Sequence, residues 1–353
     1  MNWNNKLTQL LGIKYPLVQA PMLGVSTPEM VAAVSNEGGL GSLPVGLLSP
    51  EKTRELIRKT KMLTDKPFVV NLFAHEIPAI DLKEAEILQN KLGTISQKYK
   101  LNYEHADLST ARFYSYREQI DVLIQEKIPV VSFTFGVIDE QSINRLHEND
   151  IIIVGTATSV REAIFLENIG IDVITAQGIE AGGHRGTFLD DEPLPQVGLF
   201  SLLPQIADNV KKPILAAGGI MDGRTFKAAL ILGAQGVQVG TAFVGSDESL
   251  AISSYKKALT ESSDTDSVLT RAFSGRWARG MRNAFHDEIQ ELNINYPPYP
   301  ILNSLTAPIR IASQKYNNKE LTTLWAGQSA SLAKLKPSSE IFRAIIAETE
   351  QLG

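Results

Sequence analysis

The chain of 353 residues contains no cysteine. This absence excludes disulfide bonds, thiolate metal ligands and cysteine nucleophiles. Long hydrophobic runs are absent too, since none approaches the roughly 18 apolar residues that a membrane-spanning helix needs. The N-terminal segment, residues 1–6, is polar and precedes no apolar core of the kind found in a signal peptide. We therefore expect a cytoplasmic protein that does not bind membranes.

An excess of positive charge is also missing. The formal net charge is -5 at pH 7, which argues against a general nucleic-acid-binding surface. Hydrophobic residues make up 43% of the chain and charged residues 21%, and these proportions are ordinary for a globular protein. The five histidines show no metal-ligand spacing, so we expect no metal site. Four of them, His75, His105, His147 and His286, share no spacing and are predicted to be non-catalytic. The expected partners are small molecules. A homodimer is compatible with the sequence, which does not fix the oligomeric state.

Eight short apolar runs alternate with helical patterns over the first two-thirds of the chain, which is typical of parallel βα units. Eight units in about 240 residues predict a (β/α)8 TIM barrel, which needs about 250 residues. An open doubly wound sheet is the alternative, but no G-x-G-x-x-G follows the first run. The runs are Leu17–Gln19, Leu40–Ser42, Phe68–Leu72, Val130–Phe133, Ile151–Val154, Asp172–Thr175, Pro213–Ala216 and Gly236–Val239.

Two stretches do not fit the repeat. Residues 76–115 follow the third run and are too long for a simple connection, so we expect an insertion there. Residues 248–319 follow the eighth run and predict a helical extension that covers the C-terminal face of the barrel and the substrate. Residues 320–353 predict a helix that packs back on the barrel. The barrel itself is expected to span residues 1–247.

Glycine-bearing turns follow the seventh and eighth runs. The seventh ends at Gly218-Gly219, and the eighth ends at Gly240-Thr241. Barrels commonly bind a phosphate with these two loops, because glycine lets backbone N–H groups approach the anion. The simpler interpretation is that these glycines only form tight turns. Their occurrence together at these two strands favours a phosphate site.

A histidine follows the sixth run, at the face where barrels build their active sites. His184 comes after two glycines, and Gln177 at the end of the run offers both a donor and an acceptor. An imidazole with an ordinary pKa near 6.5 could be a base, or a cation that holds an anion. A loop histidine bonded to backbone is the simpler interpretation. Asn71, predicted to close the third run, could bond the next strand or contact a cofactor.

A basic, glycine-bearing segment, residues 274–280, lies in the predicted extension. It could be a solvated loop whose arginines pack by their stems, or a lid that meets a carboxylate substrate. The sequence leaves both interpretations open.

Taken together, these motifs resemble the bacterial nitronate monooxygenases, formerly called 2-nitropropane dioxygenases, and the class I branch in particular. The resemblance spans nearly the whole chain. The glycine turns are shared by many FMN barrels. The histidine loop, residues 177–186, combined with the motifs at 270–275 and 324–328 is more specific. The segments that carry the resemblance are YPLVQAPM (15–22), SFTFG (132–136), GTAT (155–158), QGIEAGGHRG (177–186), residues 216–241, TRAFSG (270–275) and LWAGQ (324–328).

The resemblance implies an FMN-dependent enzyme that oxidises alkyl nitronates, such as propionate 3-nitronate, with molecular oxygen and so detoxifies nitro compounds. It implies that His184 is the active-site histidine. Pro21 departs from the glycine of some members, and the 76–115 insertion leaves the outer wall of the substrate pocket in doubt. The residues implied to contact FMN are Asn71, Gln177, Gly182, Gly219, Gln238, Val239, Gly240 and Thr241.

Three alternatives share the barrel and the flavin. One is an NAD(P)H-dependent enoyl reductase, which has a similar histidine loop, and another is a quinone reductase. The third is a flavin-binding protein without catalytic activity. Reduction of the flavin by NADH or NADPH would distinguish the first two from a nitronate oxidase.

Overall fold

The computed structural model describes residues 1–189 and 193–353. Eight parallel strands form one sheet, and they are the eight predicted runs in the predicted order. The strand boundaries differ from the predicted ones by at most three residues. In chain order, barrel strands one to eight are Leu17–Gln19, Gly41–Pro44, Phe68–Phe73, Val130–Thr134, Ile152–Ala157, Val173–Gln177, Ile214–Ala217 and Gly236–Val239.

The sheet closes on itself. Strand one pairs with strand eight through Leu17 and Val237, and a bridge between Val18 and Leu40 joins it to the segment that enters strand two. The fold is therefore the predicted (β/α)8 barrel rather than an open sheet. Because all strands run in parallel, their carboxyl ends meet on one face, where barrel active sites form.

Eight helices surround the barrel, and their starts follow from local capping. Thr27 accepts a hydrogen bond from the backbone N–H of Met30, and Pro28 occupies the first helical position. Proline is favoured there because its missing N–H would have no partner within the helix. Ser49 and Pro50 repeat this arrangement. The eight helices are Pro28–Asn36, Pro50–Leu63, Tyr116–Gln125, Glu140–His147, Val160–Asn168, Leu199–Asn209, Gly223–Ile231 and Ser338–Gln351.

The last of these helices takes the eighth position around the barrel. Ser338–Gln351 packs against both Pro28–Asn36 and Gly223–Ile231. A Cβ atom at Gly223 would lie 2.4 Å from the backbone of Glu348, so only glycine allows this approach. The helix therefore closes the ring of helices between the first and the seventh.

The opposite end of the barrel is filled by the N-terminal helix, Lys6–Leu11. Leu7 and Leu11 pack with Val18, Leu40 and residues of the other strands in one apolar cluster. This cluster leaves the C-terminal face as the end of the barrel that is open to a ligand.

The insertion and the extension share a second hydrophobic core. Leu88 and Leu92 of the insertion helix Leu82–Lys98 cluster with Phe285 and Leu305 of the extension. The insertion, which the sequence linked to the outer wall of the substrate pocket, thus packs against the extension. The further elements are the helices Thr241–Val244, Ser253–Glu261, Ala284–Glu291 and Ile301–Lys315 and the 3₁₀ turns Lys319–Leu321 and Ala330–Leu332.

The extension contains strands as well as the predicted helices. Ser267–Thr270 and Ala278–Met281 pair in antiparallel fashion, and the second of these strands also pairs with Gly183–His184. The strand Ala278–Met281 could not be predicted, because its sequence has no alternating apolar pattern. All four of its residues are buried, and the strand is defined by its backbone pairing. Within the described residues, no helix is both long and apolar enough to cross a membrane.

Candidate active site

A cavity of about 370 Å³ opens at the carboxyl ends of the barrel strands and extends beneath the extension. A volume of this size is typical of a small-molecule site. Its walls combine residues from the strand ends, the extension and the segment 322–329. Eight of the nine predicted site residues line it: Asn71, Gln177, Gly182, His184, Gly219, Gln238, Gly240 and Thr241.

Val239 is the predicted residue that does not line the cavity. Its side chain is buried in the main hydrophobic core, and its carbonyl oxygen accepts a hydrogen bond from the backbone N–H of Ala20. Side chains alternate along a strand, so Gln238 faces the cavity and Val239 faces the surrounding helices.

Asn71 combines the two roles that the sequence left open. It lies within strand three rather than at its end, because the strand continues to Phe73. Its Nδ2 donates to Ser132 Oγ on strand four at 3.0 Å, and the residue also lines the cavity. The hydrogen bond fixes the side-chain amide at the cavity wall.

The two glycine turns form a cradle of backbone donors. Gly218 and Gly219 have φ values of 118° and 68°, a region that favours glycine. In the part of the chain that the structure describes, the amide N–H groups of Gly219, Gly240 and Thr241 donate to no protein acceptor. Unpaired backbone donors beside a cavity suit an anion such as a phosphate.

A segment far along the chain completes the cradle. The backbone N–H of Gly327 donates to Thr241 Oγ1 at 3.0 Å, and that of Gln328 donates to the carbonyl of Glu180 at 3.1 Å. A Cβ atom at Gly182 would lie 2.5 Å from the nitrogen of Gly327. Glycine is therefore required at 182 because the LWAGQ segment packs directly against the histidine loop.

His184 is held in the cavity by both its backbone and its ring. Its backbone pairs with Ala278 in the small sheet, and its carbonyl oxygen accepts a hydrogen bond from Gln177 Nε2 at 3.1 Å. Its Nε2 lies 2.7 Å from Ser274 Oγ. The ring is fixed in one place, unlike that of a solvated loop histidine.

The imidazole of His184 is uncharged. Burial disfavours the imidazolium, and the nearby positive charges of Arg276 and Arg310 disfavour it further, so the pKa falls to about 3. Of the two roles that an ordinary pKa would allow, this environment therefore disfavours the cationic one. A neutral imidazole can donate or accept a hydrogen bond and can still accept a proton.

A buried carboxylate supports the loop that carries His184. Glu162, in the first turn of the helix Val160–Asn168, accepts hydrogen bonds from the backbone N–H groups of Thr158 and Phe188 at 2.6 Å each. It also accepts from the Thr158 hydroxyl at 2.7 Å and from the N–H of Leu189 at 3.1 Å. Four donors thus converge on one buried side chain.

We expect Glu162→Gln to lower the free energy of unfolding by about 2 kcal/mol. The new amide N–H₂ would face donors where an oxygen now accepts, so at least one buried donor would lose its partner. Urea denaturation of the two proteins measures the change. Glu140→Gln is the matched control, since Glu140 is an exposed acid in the first turn of another barrel helix. An equal effect at both positions would contradict a special role for Glu162.

The basic segment 274–280 is neither a solvated loop nor a free lid. The carbonyl of Trp277 accepts a hydrogen bond from the backbone N–H of Arg185 at 2.8 Å. Arg276 lies over the Phe135 ring at 4.8 Å and donates to the carbonyl of Thr187. Arg279 is buried and donates to the carbonyl of Ile179. The segment is a fixed wall beside the histidine loop.

The sequence missed several cavity residues that come from the extension and from the segment after it. Tyr299 and Trp325 lie near His184, with ring centroids 6.1 Å and 5.3 Å from the imidazole. They face the same ring as Phe135, which follows strand four and lies 4.9 Å away. The turn-rich YPPYP stretch, which contains Tyr299, and the LWAGQ motif, which contains Trp325, were visible signals. Arg310, on the helix Ile301–Lys315, also lines the cavity and had no sequence signal of its own.

The four other histidines were predicted to be non-catalytic. His147 pairs with Asp172, His286 pairs with Asp287, and His105 stacks on Tyr103. His75 is buried beside Tyr299, with ring centroids 4.7 Å apart, and burial lowers its pKa to about 4. None of the four lines the cavity among the described residues.

Comparison with known sequences reveals one family over almost the whole chain. A sequence model of the nitronate monooxygenase family matches residues 4–348. A probable nitronate monooxygenase from Staphylococcus aureus is 43% identical over 353 residues, which cover 99% of this chain and 99% of that protein.

Two solved structures are similar to the chain. Nitroalkane oxidase from Streptomyces ansochromogenes is 38% identical, with a TM-score of 0.88 over 98% of both chains. FabK from Thermotoga maritima is 30% identical, with a TM-score of 0.78 over 99% of this chain and 97% of its own.

Proposed function

Because the chain belongs to the nitronate monooxygenase family, we propose that it oxidises small alkyl nitronates, with FMN as its flavin and molecular oxygen as electron acceptor. Propionate 3-nitronate is one expected substrate, and removal of toxic nitro compounds in the cytoplasm is the expected role. The observation that carries the proposal is the placement of His184 in the same cavity as a cradle of unpaired backbone donors.

The residues present fit FMN. The cradle at Gly219, Gly240 and Thr241 offers backbone donors to one phosphate group. FMN carries a single phosphate, so one such cradle is enough to hold it. Gly240 leaves room for a ligand, because the nearest atom to a Cβ placed there would be 3.5 Å away, on Ala20. Asn71 and Gln177 present amide groups to the cavity, which suit the alternating donors and acceptors of a flavin ring.

Each part of the cavity then has one role. Backbone N–H groups of the two glycine turns would hold the phosphate of FMN, and Asn71, Gln177 and Gln238 would contact its ring. Bound FMN supplies the electron transfer between the nitronate carbon and oxygen, which the protein itself cannot perform. Phe135, Tyr299 and Trp325 would form aromatic walls around His184 and the bound substrate.

His184 would bind the nitro group of the substrate. A nitronate carries its negative charge on two oxygens, and an uncharged imidazole N–H can donate to one of them. With a neutral nitroalkane, the same ring could accept the proton of the carbon acid. Residues 248–319 would cover the bound substrate, as their position over the cavity suggests.

We expect the purified protein to contain non-covalently bound FMN and to consume oxygen with propionate 3-nitronate. Heat release followed by chromatography identifies the flavin, and an oxygen electrode measures turnover. FAD in place of FMN would contradict the single-phosphate cradle. Anaerobic mixing with NADH and NADPH is the control, since rapid bleaching by either would favour a reductase. Retention of the flavin without any turnover would favour a binding protein.

A further inference from the structure

One charged side chain lines the cavity. Among the described cavity residues there is no aspartate, glutamate or lysine, and His184 is neutral, so Arg310 carries the charge. It comes from the helix Ile301–Lys315, which turns one face to the cavity at helical spacing. That face consists of Asn303, Ala307, Arg310, Ile311 and Gln314.

The hydrogen bonds that Arg310 donates go to residues of its own helix. Its Nη2 donates to the carbonyl and the side chain of Asn303 at 2.8 and 2.9 Å, and its Nε donates to Thr306 Oγ1 at 3.2 Å. Across residues 1–189 and 193–353, no carboxylate forms an ion pair with it, and its Nη1 donates to no protein acceptor. The guanidinium is therefore oriented while one of its nitrogens is still available.

The charge on Arg310 persists despite its burial. Burial lowers its pKa to about 10, so it is still protonated at neutral pH. The side chain of Arg310 is half-buried at the cavity wall and has no anionic partner among the described residues, so an anion bound in the cavity would gain a favourable charge interaction with it. Arg310 and His184 line the same cavity, and the positive charge of Arg310 also lowers the pKa of His184. The phosphate cradle, in contrast, is built from backbone groups of other segments.

We propose that Arg310 binds a carboxylate on the substrate, so that the enzyme selects nitronates with a second anionic group. This inference rests on the proposed function. An arginine can donate two parallel hydrogen bonds to a carboxylate, which gives strength and direction. His184 and Arg310 would then hold the two charged ends of one substrate. Arg276 does not serve here, because it stacks on Phe135 and donates to Thr187.

The test compares two substrates that differ in one group. Propionate 3-nitronate carries a carboxylate, and propyl 1-nitronate has a methyl group in its place. We expect Arg310→Met to lower kcat/KM at least about tenfold more for the first substrate than for the second, as for loss of a charge-assisted hydrogen bond. Arg310→Lys should recover part of the difference, since it keeps the charge. Arg343→Met, at an exposed pair with Glu37, is the control.

A binding measurement separates this inference from the proposed function. Calorimetric titration of the flavin-loaded proteins with succinate, and with neutral succinamide, needs no turnover. We expect Arg310→Met to weaken succinate binding at least about tenfold and to leave succinamide binding unchanged. If nitronates are not oxidised but succinate binding still depends on Arg310, the anion site stands and the proposed function fails.

Three results would overturn the inference. One is an equal loss of kcat/KM with both nitronates in Arg310→Met. Another is loss of FMN from both Arg310 variants, which would assign the guanidinium to the cofactor phosphate. The third is succinate binding that does not depend on Arg310. If Arg310→Met does not fold, Arg310→Lys and Arg310→Gln replace it, and equal succinate affinities in those two variants would contradict a charged contact.

Discussion

Gly219→Asp is expected to weaken FMN binding by at least about 100-fold while the barrel stays folded. The nearest atom to a Cβ at this position would be 3.6 Å away, on Glu180, so the new side chain has room. Its carboxylate would stand beside the phosphate that the cradle holds. Two unit negative charges about 4 Å apart repel by roughly 4 kcal/mol at an effective dielectric constant of 20, which corresponds to about a thousandfold in affinity.

The effect of backbone strain in this substitution can be measured separately, at a second glycine with a similar φ. Gly219 has a φ of 68°, and Gly12, at the end of the N-terminal helix, has a φ of 66° with no atom within 4 Å of a Cβ placed there. Gly12→Asp therefore carries the same backbone strain without a cofactor nearby, and Gly219→Asn has the shape of aspartate without its charge. Fluorescence titration of apoprotein with FMN compares them. If Gly219→Asp binds FMN as tightly as Gly12→Asp does, the phosphate lies elsewhere.

His184→Asn should leave FMN bound and lower kcat/KM for nitronates by at least about tenfold, as for loss of a well-placed hydrogen bond to a charged group. Asparagine can still donate a hydrogen bond, but it lacks the ring that packs against Phe135 and Trp325, so its N–H is not held at the position of the imidazole N–H. Stopped-flow reduction with propionate 3-nitronate measures the loss. His147→Asn, at a surface pair with Asp172, is the control.

The pH dependence of the parent enzyme follows from the direction of the pKa shift of His184. Its pKa is lowered to about 3, so the imidazole gains a proton only as the pH falls towards that value. Between about pH 5 and pH 9 it stays neutral, and we expect no step in kcat/KM from this residue. A step near pH 6.5 that disappears in His184→Asn would show that the histidine has an ordinary pKa and is solvated.

The barrel and its cofactor side could be predicted because their signals are local. Each strand, such as Val130–Thr134, is an apolar run bounded by turns, and parallel strands bring their carboxyl ends together wherever those runs occur. His184, Gly219 and Gly240 all follow strands, so their meeting at one face needed no knowledge of packing.

The substrate side could not be predicted in the same way. Tyr299, Arg310 and Trp325 reach the cavity through a second hydrophobic core that joins the insertion to the extension. This core determines which face of the helix Ile301–Lys315 meets the cavity. The sequence does not reveal that face, because apolar residues lie around much of the helix. The depressed pKa of His184 also depends on Arg276 and Arg310, which lie about 90 to 125 residues further along the chain.

The position of the eighth barrel helix has a consequence for how the protein is synthesised. Strand eight ends at Val239, whereas the helix that completes the ring begins at Ser338. Until the ribosome has released that helix, the barrel carries an open apolar groove between Pro28–Asn36 and Gly223–Ile231. Incomplete chains with exposed apolar surface are prone to aggregate. A ribosome that stalls within the extension would therefore leave a chain with every barrel strand made and its barrel wall still open.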